Sequence, residues 1–413
     1  MRYSVVCGLA SGLMSVAAAI DLATVSDVMF DQPGAGRPAT ITYSIDKPAI
    51  VTLDVYTNGV HIGYECLADV TGDVNGLVPA GSGRILWTPT GGAASVRFNR
   101  KALGTKAVVV AWPTDAPPDY LVVSLDGTKA RAYYPAAECV PGGVTNDVYK
   151  TEKLVLRKIR AAGIRWVMGS PVGEKGRDYN QWNPPREVPH YVTLTNDYYM
   201  GVFEVTQSQL ELACKKRYGA GPKYPAAGIS YYALRGWGNQ WWNLWPSMGH
   251  TIGQNCLVKN LRDLSGIASL DLPTDAQWEF ACRAGAGTSL YGFQESNANS
   301  TDVSANLDKI AWYDKNSGSA AHEVGLKDQN AFGLYDMLGN VAELCLDGYQ
   351  DATSAETVDP VGYASATYNS NRTLRGGKYS ESWKGVRCAA RLPQAYDTYA
   401  DSIGFRVVCE LNQ

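Results

Sequence analysis

The chain has 413 residues, enough for two domains that each bury a core. Its 37 basic and 40 acidic residues give a formal net charge of -3 with no long run of either sign, which argues against nucleic acid or anionic lipid as a partner. No apolar run reaches the roughly 20 residues that a membrane-spanning helix needs.

At the N-terminus Arg2 precedes an apolar stretch from Val6 to Ala19 that ends in three alanines. A basic start, a short apolar region and small residues at its end predict a signal peptide over 1–20, cut near Ala19, and an exported mature protein, whether periplasmic, cell-surface or secreted. Cys7 falls in that segment, so eight of the nine cysteines remain after cleavage. An even number suits disulfides in an oxidising compartment, although eight cysteines allow roughly a hundred pairings.

From 21 to 145 short alternating runs such as Ala39-Thr40-Ile41-Thr42-Tyr43-Ser44-Ile45 and Ile50-Val51-Thr52-Leu53-Asp54-Val55-Tyr56 are separated by Gly, Pro, Asn and Asp. Period-two alternation with turn residues between runs predicts an antiparallel β-sandwich, immunoglobulin-like or fibronectin-like, acting as a spacer or docking module. The Pro141-Gly142-Gly143-Val144-Thr145-Asn146 cluster marks the boundary to a second domain over 152–410.

In that domain Thr206 with Gln209, and Thr274 with Gln277, read as capping boxes, each opening a helix of about ten residues. Gly285 stops the second helix. A third, from Cys256 to Leu264, has Leu257, Val258, Leu261 and Leu264 on one face and Gly266 after it. Beyond Gly285 the chain is mostly loop, which in a compact domain points to binding loops or to pinning by metal or disulfide.

Six segments in order resemble the formylglycine-generating enzyme (sulfatase-modifying factor) family. They are Phe203-Glu204-Val205-Thr206-Gln207, Leu272 to Gly285, Asn330 to Glu343, Leu374-Arg375-Gly376-Gly377, Arg387-Cys388-Ala389-Ala390-Arg391 and Gly404-Phe405-Arg406. The resemblance implies an irregular α+β fold related to C-type lectins, following the sandwich. The family's oxidase uses two cysteines between the Arg-Gly-Gly and Arg-Cys-Ala-Ala-Arg segments, whose soft thiolates bind copper. Here that interval, Lys378 to Val386, has no cysteine. A related branch binds iron through histidines, but His61, His190, His250 and His322 are scattered without metal-ligand spacing.

Calcium is the cofactor that the resemblance implies. One site would use Asp336, Gly339, Val341 and Glu343, two carboxylates and two carbonyls, hard oxygen ligands of the kind calcium prefers. A second would use Asn306, the Leu307 carbonyl, Asn316 and the Gly318 carbonyl. The resemblance also implies a disulfide between Cys282 and Cys388, while spacing within domains suggests Cys66 with Cys139 and Cys214 with Cys256.

Without the oxidase centre the surrounding loops remain as a surface. Tyr379, Ser380, Ser382 and Trp383, together with Tyr396, Asp397, Tyr399 and Asp401, have the Tyr/Ser/Asp composition of adaptable recognition loops, and the four aromatics are expected to be partly exposed on one face. The same composition resembles that of the variable proteins of diversity-generating retroelements. Trp241 and Trp242, in a tryptophan cluster of an apparent insertion, are further candidate ligand contacts. The sequence thus predicts an exported, calcium-stabilised, non-catalytic binding protein for a protein or glycan ligand. The alternative is a copper- or iron-dependent oxidoreductase of the same superfamily using other residues.

Overall fold

The computed structural model describes residues 23–34, 37–89, 104–171, 173–177, 186–216, 221–236, 252–291, 306–350, 354–361 and 371–411. The signal segment and the Trp241 and Trp242 cluster lie outside them. Among the described residues no helix is long and apolar enough to cross a membrane.

The N-terminal region is a sandwich of two antiparallel sheets. One has the order Val25–Asp31, Ala39–Ile45, Gly81–Trp87, Val70–Gly72. The other centres on Ala49–Thr57, which pairs with Val60–His61, Gly76–Val78 and Thr105–Trp112. Alternation drives the packing: Ala39, Ile41, Tyr43 and Ile45 point inward with Ile85 and Trp87 against Val51, Leu53, Val55 and Val109. The Trp87 indole is 0% exposed and donates to the Cys66 carbonyl at 2.7 Å, so its polar handle is satisfied.

The boundary read at 141–146 needs correcting. Tyr120–Ser124 and Arg131–Tyr134, counted above with the sandwich, belong to a five-stranded sheet ordered Arg131–Tyr134, Tyr120–Ser124, Lys153–Ile159, Tyr198–Gly201, Val408–Glu410. All five residues of Tyr120–Ser124 are buried, because apolar clusters cover both faces of that strand. Such a strand reads as an unbroken apolar run, and the Pro/Gly cluster marks only the loop that returns the chain to the same sheet. The sandwich is tied to this sheet by Tyr133, whose N–H donates to the Asn75 carbonyl at 2.8 Å, and by Ile50 and Trp112, which pack into the second core.

The predicted helices form. Gln207–Cys214 and Asp275–Arg283 each begin with a reciprocal capping box, at Thr206/Gln209 and Thr274/Gln277. Leu257–Ser265 is capped by the Cys256 thiol, which accepts from the Lys259 N–H, and it ends on Gly266 at φ 70. The Thr274 helix stops where expected: after Arg283 comes the C-cap Ala284 at φ 46, and Gly285 follows as the C′ residue at φ 87.

Candidate functional site

The arginines of the recurrent segments build scaffold. Arg375 lies between Asp275 and Glu279, 2.9 Å from Glu279, and Arg391 reaches Asp275 at 2.6 Å. Arg387 pairs with Glu187 at 2.8 Å and Glu174 at 3.1 Å, pinning the loop that starts at Gly169. All are buried, so each guanidinium needs its carboxylate to offset the loss of water.

This network fixes the antiparallel hairpin of Asn371–Arg375 with Arg391–Ala395, in which Arg375 faces Arg391 and Asn371 faces Ala395. Beyond the Arg375/Arg391 end comes the cysteine-free segment that includes Lys378 to Val386. It turns through Gly376 and Gly377, at φ 83 and 71; a Cβ on Gly377 would stand 2.6 Å from the Gly385 carbonyl oxygen, so only glycine fits. The loop is held by bonds to other segments that include Tyr379 N–H to the Asn340 carbonyl at 2.8 Å, Ser317 Oγ to the Tyr379 carbonyl at 2.8 Å, and Asp314 N–H to the Glu381 carbonyl at 3.0 Å. Tyr379, Ser382 and Trp383 are half-buried and Ser380 is exposed. Glu381 is mostly buried with one carboxylate oxygen unpartnered, and burial raises its pKa.

The two predicted recognition stretches do not meet as a single aromatic face. Tyr396 lies beyond the Asn371/Ala395 end of the hairpin, opposite to Tyr379 and Trp383, and its carbonyl accepts from Tyr232 N–H at 3.0 Å. Tyr396 is half-buried against the core, whereas Tyr399 is 71% exposed and Asp397 and Asp401 are exposed. Strand pairing separates the stretches, and sequence proximity cannot convey that.

The described cysteine nearest in sequence to the loop, Cys388, is 0% exposed. Its side chain meets that of Cys282, whose thiol is pushed well above its ordinary range by burial and by this neighbour. The histidines are dispersed: His61 stands 3.5 Å from Asp54, His190 hydrogen-bonds the Val188 carbonyl, and His322 stacks on Trp312 with ring centroids 3.7 Å apart. His250 is outside the described residues.

Beside the loop is a buried acidic cluster. Glu343 forms a two-pronged pair with Arg406, at 2.6 and 2.7 Å, and accepts from Trp278 Nε1 at 2.7 Å. Asp336, 1% exposed at φ 54, accepts from Gly325 N–H at 2.6 Å through Oδ2, while Oδ1 has no partner. Glu204, 0% exposed, accepts from Asn340 Nδ2 at 2.7 Å and Val341 N–H at 3.2 Å. Burial, then Asp336 and Glu343, push the Glu204 carboxyl well above its usual range. Asp336 is pushed up to about 6, mainly by burial, against the pull of the Gly325 N–H and Arg406. Reading the motif missed Glu204, although an acid within the apolar run Val202-Phe203-Glu204-Val205 was a signal.

Among the described residues no three His, Cys, Asp or Glu side chains converge as a metal cage, so a calcium ion here would have to draw on backbone oxygens. The first implied site fits that demand: Asp336 Oδ1 is buried and unpaired, an oxygen that a divalent cation would satisfy. At the second, Asn316 braces its own loop, accepting from Tyr313 N–H at 2.9 Å and donating to the Ala311 carbonyl at 2.9 Å, while Leu307 is buried and Gly318 sits at φ 63.

A family model described as the sulfatase-modifying factor enzyme 1-like domain matches residues 165–411. The formylglycine-generating enzyme of Mycobacterium tuberculosis (strain ATCC 25618 / H37Rv) is 31% identical over 208 residues, 43% of this chain and 68% of that protein. Inactive C-alpha-formylglycine-generating enzyme 2 of Mus musculus is 30% identical over 150 residues, 33% of this chain and 41% of that protein. Among solved structures, Treponema denticola variable protein 1 is 23% identical with a TM-score of 0.48, covering 62% of this chain and 95% of that one. Because the matched region takes in well over half of the chain, the protein belongs to the sulfatase-modifying factor enzyme 1-like domain family.

Proposed function

We propose that the protein is an exported, calcium-stabilised member of this family that binds a protein or glycan ligand and does not catalyse the family's oxidation. The observation that carries this reading is the loop from Lys378 to Val386: it is firmly anchored, has half-buried Tyr379 and Trp383, and has no cysteine. A thiolate is what copper needs, and the neighbouring Cys388 is sealed in the core. Rigid aromatics with short polar neighbours suit recognition, since they add contact area at little entropic cost. The mouse relative bearing the word inactive is a precedent within the family.

Calcium would be held by Asp336, Glu343 and the carbonyl oxygens of Gly339 and Val341, where its charge would offset the buried carboxylates. Cys282 and Cys388 would close as a disulfide in an oxidising compartment. The Tyr/Ser/Asp composition of the loops also suits a genetically diversified surface, which a reverse-transcriptase gene and an adenine-mismatched repeat beside the coding sequence would support.

The test of the central reading is mass spectrometry of a cysteine-containing sulfatase peptide incubated with the copper-loaded protein. Unchanged peptide is expected, and formylglycine product would overturn the non-catalytic reading. A glycan array then reports binding directly: Y379A should lose the signal of the intact protein while keeping its melting temperature.

A further inference from the structure

We propose that Glu204 is the positioning residue that joins the calcium site to the Tyr379 loop, acting through Asn340. This rests on the calcium reading given above. The two bonds of Glu204, to Asn340 Nδ2 and to Val341 N–H, fix the peptide between Asn340 and Val341. The Gly339 and Val341 carbonyls, the two backbone ligands of the calcium site, flank that peptide. The segment needs such a hold, because Asp336, Gly339 and Asn340 all sit at positive φ, at 54, 75 and 55.

Asn340 is fastened on every side. Its Oδ1 accepts from His322 N–H at 2.9 Å, its N–H donates to the Trp312 carbonyl at 2.9 Å, and its carbonyl accepts from Tyr379 N–H at 2.8 Å. Tyr379 in turn is held through its carbonyl by Ser317. One residue therefore touches the carboxylate of the acidic cluster and the first anchored residue of the recognition loop. Ordering of the Gly339–Val341 carbonyls by a cation must be felt at Asn340, and from there at Tyr379.

A carboxylate is specifically required at 204. Both of its oxygens accept, one from a side-chain amide and one from a backbone N–H. Glutamine would present an NH2 to one of these donors and leave both hydrogens unpaired.

The experiment compares wild-type protein with Glu204→Gln and Asn340→Gly, using calcium titration calorimetry and hydrogen–deuterium exchange of the 378–386 peptide with and without calcium. Glycine keeps the positive φ at 340 while removing the side chain, so the second variant remains informative if the first fails to fold. In wild type, calcium should slow exchange at 378–386. Glu204→Gln should weaken calcium by roughly 10–100-fold, the usual effect of losing an outer-shell partner. In both variants the loop should exchange faster than in wild type, and calcium should no longer protect it. Calcium affinity within twofold of wild type together with unchanged loop exchange would overturn the proposal. If the wild-type protein binds no calcium, the calcium reading fails on its own. The link from Glu204 to Tyr379 is then decided by metal-free exchange: faster loop exchange in the variants supports it, and equal exchange overturns it.

Discussion

Trp278 Nε1 donates to Glu343 Oε2 at 2.7 Å, the same oxygen that accepts from Arg406 Nε at 2.7 Å. Three of the recurrent segments thus meet at one carboxylate: the capped helix, the Gly-Asn loop and the Gly-Phe-Arg end. Trp278→Phe removes a bond to a charged acceptor and part of a buried ring, so unfolding by denaturant should show a loss of at least about 1.5–3 kcal/mol. A loss below about 0.5 kcal/mol would mean that the bond contributes nothing.

Arg375 is 1% exposed between Asp275 and Glu279. Arg375→Met leaves two buried carboxylates short of a cation and should cost about 3–5 kcal/mol in the same measurement. Surface pairs give the contrast: Arg165 with Glu356, half-exposed at 2.8 Å, should change stability by less than about 1 kcal/mol when broken.

The same network sets an acid limit. Burial alone would raise the Glu279 carboxyl, but Arg283 and Arg375 outweigh it and hold the pKa below its ordinary value of 4.5. A depressed carboxyl stabilises the fold above the unfolded pKa, and that stability is lost as pH falls through the folded value. Melting temperature should therefore drop on acidification below about 4.5. Glu174, raised by burial, works in the opposite sense, because its folded form takes up a proton more readily than its unfolded form. Removing the Glu279 contribution in Arg375→Met should flatten the acid limb; an unchanged limb would place the acid sensitivity elsewhere.

Calcium at Asp336 predicts stabilisation by mass action, about 2.7 kcal/mol when free calcium is a hundred times Kd. EDTA should lower the melting temperature of wild type. Asp336→Asn tolerates the positive φ and relieves the buried charge, so it should match or exceed metal-free wild type and no longer respond to calcium. An EDTA-insensitive wild type with no calcium by elemental analysis would remove the cation from the site.

Tyr396 and Tyr399, paired in the sequence reading, should behave differently. Tyr399→Ala should stay within about 0.5 kcal/mol of wild type, as exposed positions do. Tyr396→Ala removes a ring packed on the core and should be the more damaging, below the roughly 3–5 kcal/mol of a fully buried aromatic. Equal, negligible effects would return Tyr396 to the surface.

What the sequence determined by itself was local. Alternation in Ala39–Ile45 and Ala49–Thr57 specified strands, the Thr206 and Thr274 boxes specified helix starts, and Gly266 specified a stop, because each depends on neighbours within a few residues. The absence of cysteines in Lys378–Val386 was legible for the same reason. Only the tertiary structure decided that Tyr120–Ser124 joins Lys153–Ile159, that Tyr379 and Tyr396 lie at opposite ends of a hairpin, and that Glu204 reaches Asn340. Those relationships depend on strand register and on charges buried against partners up to 213 positions away, and the free energy of pairing such groups has no signature in the residues beside them.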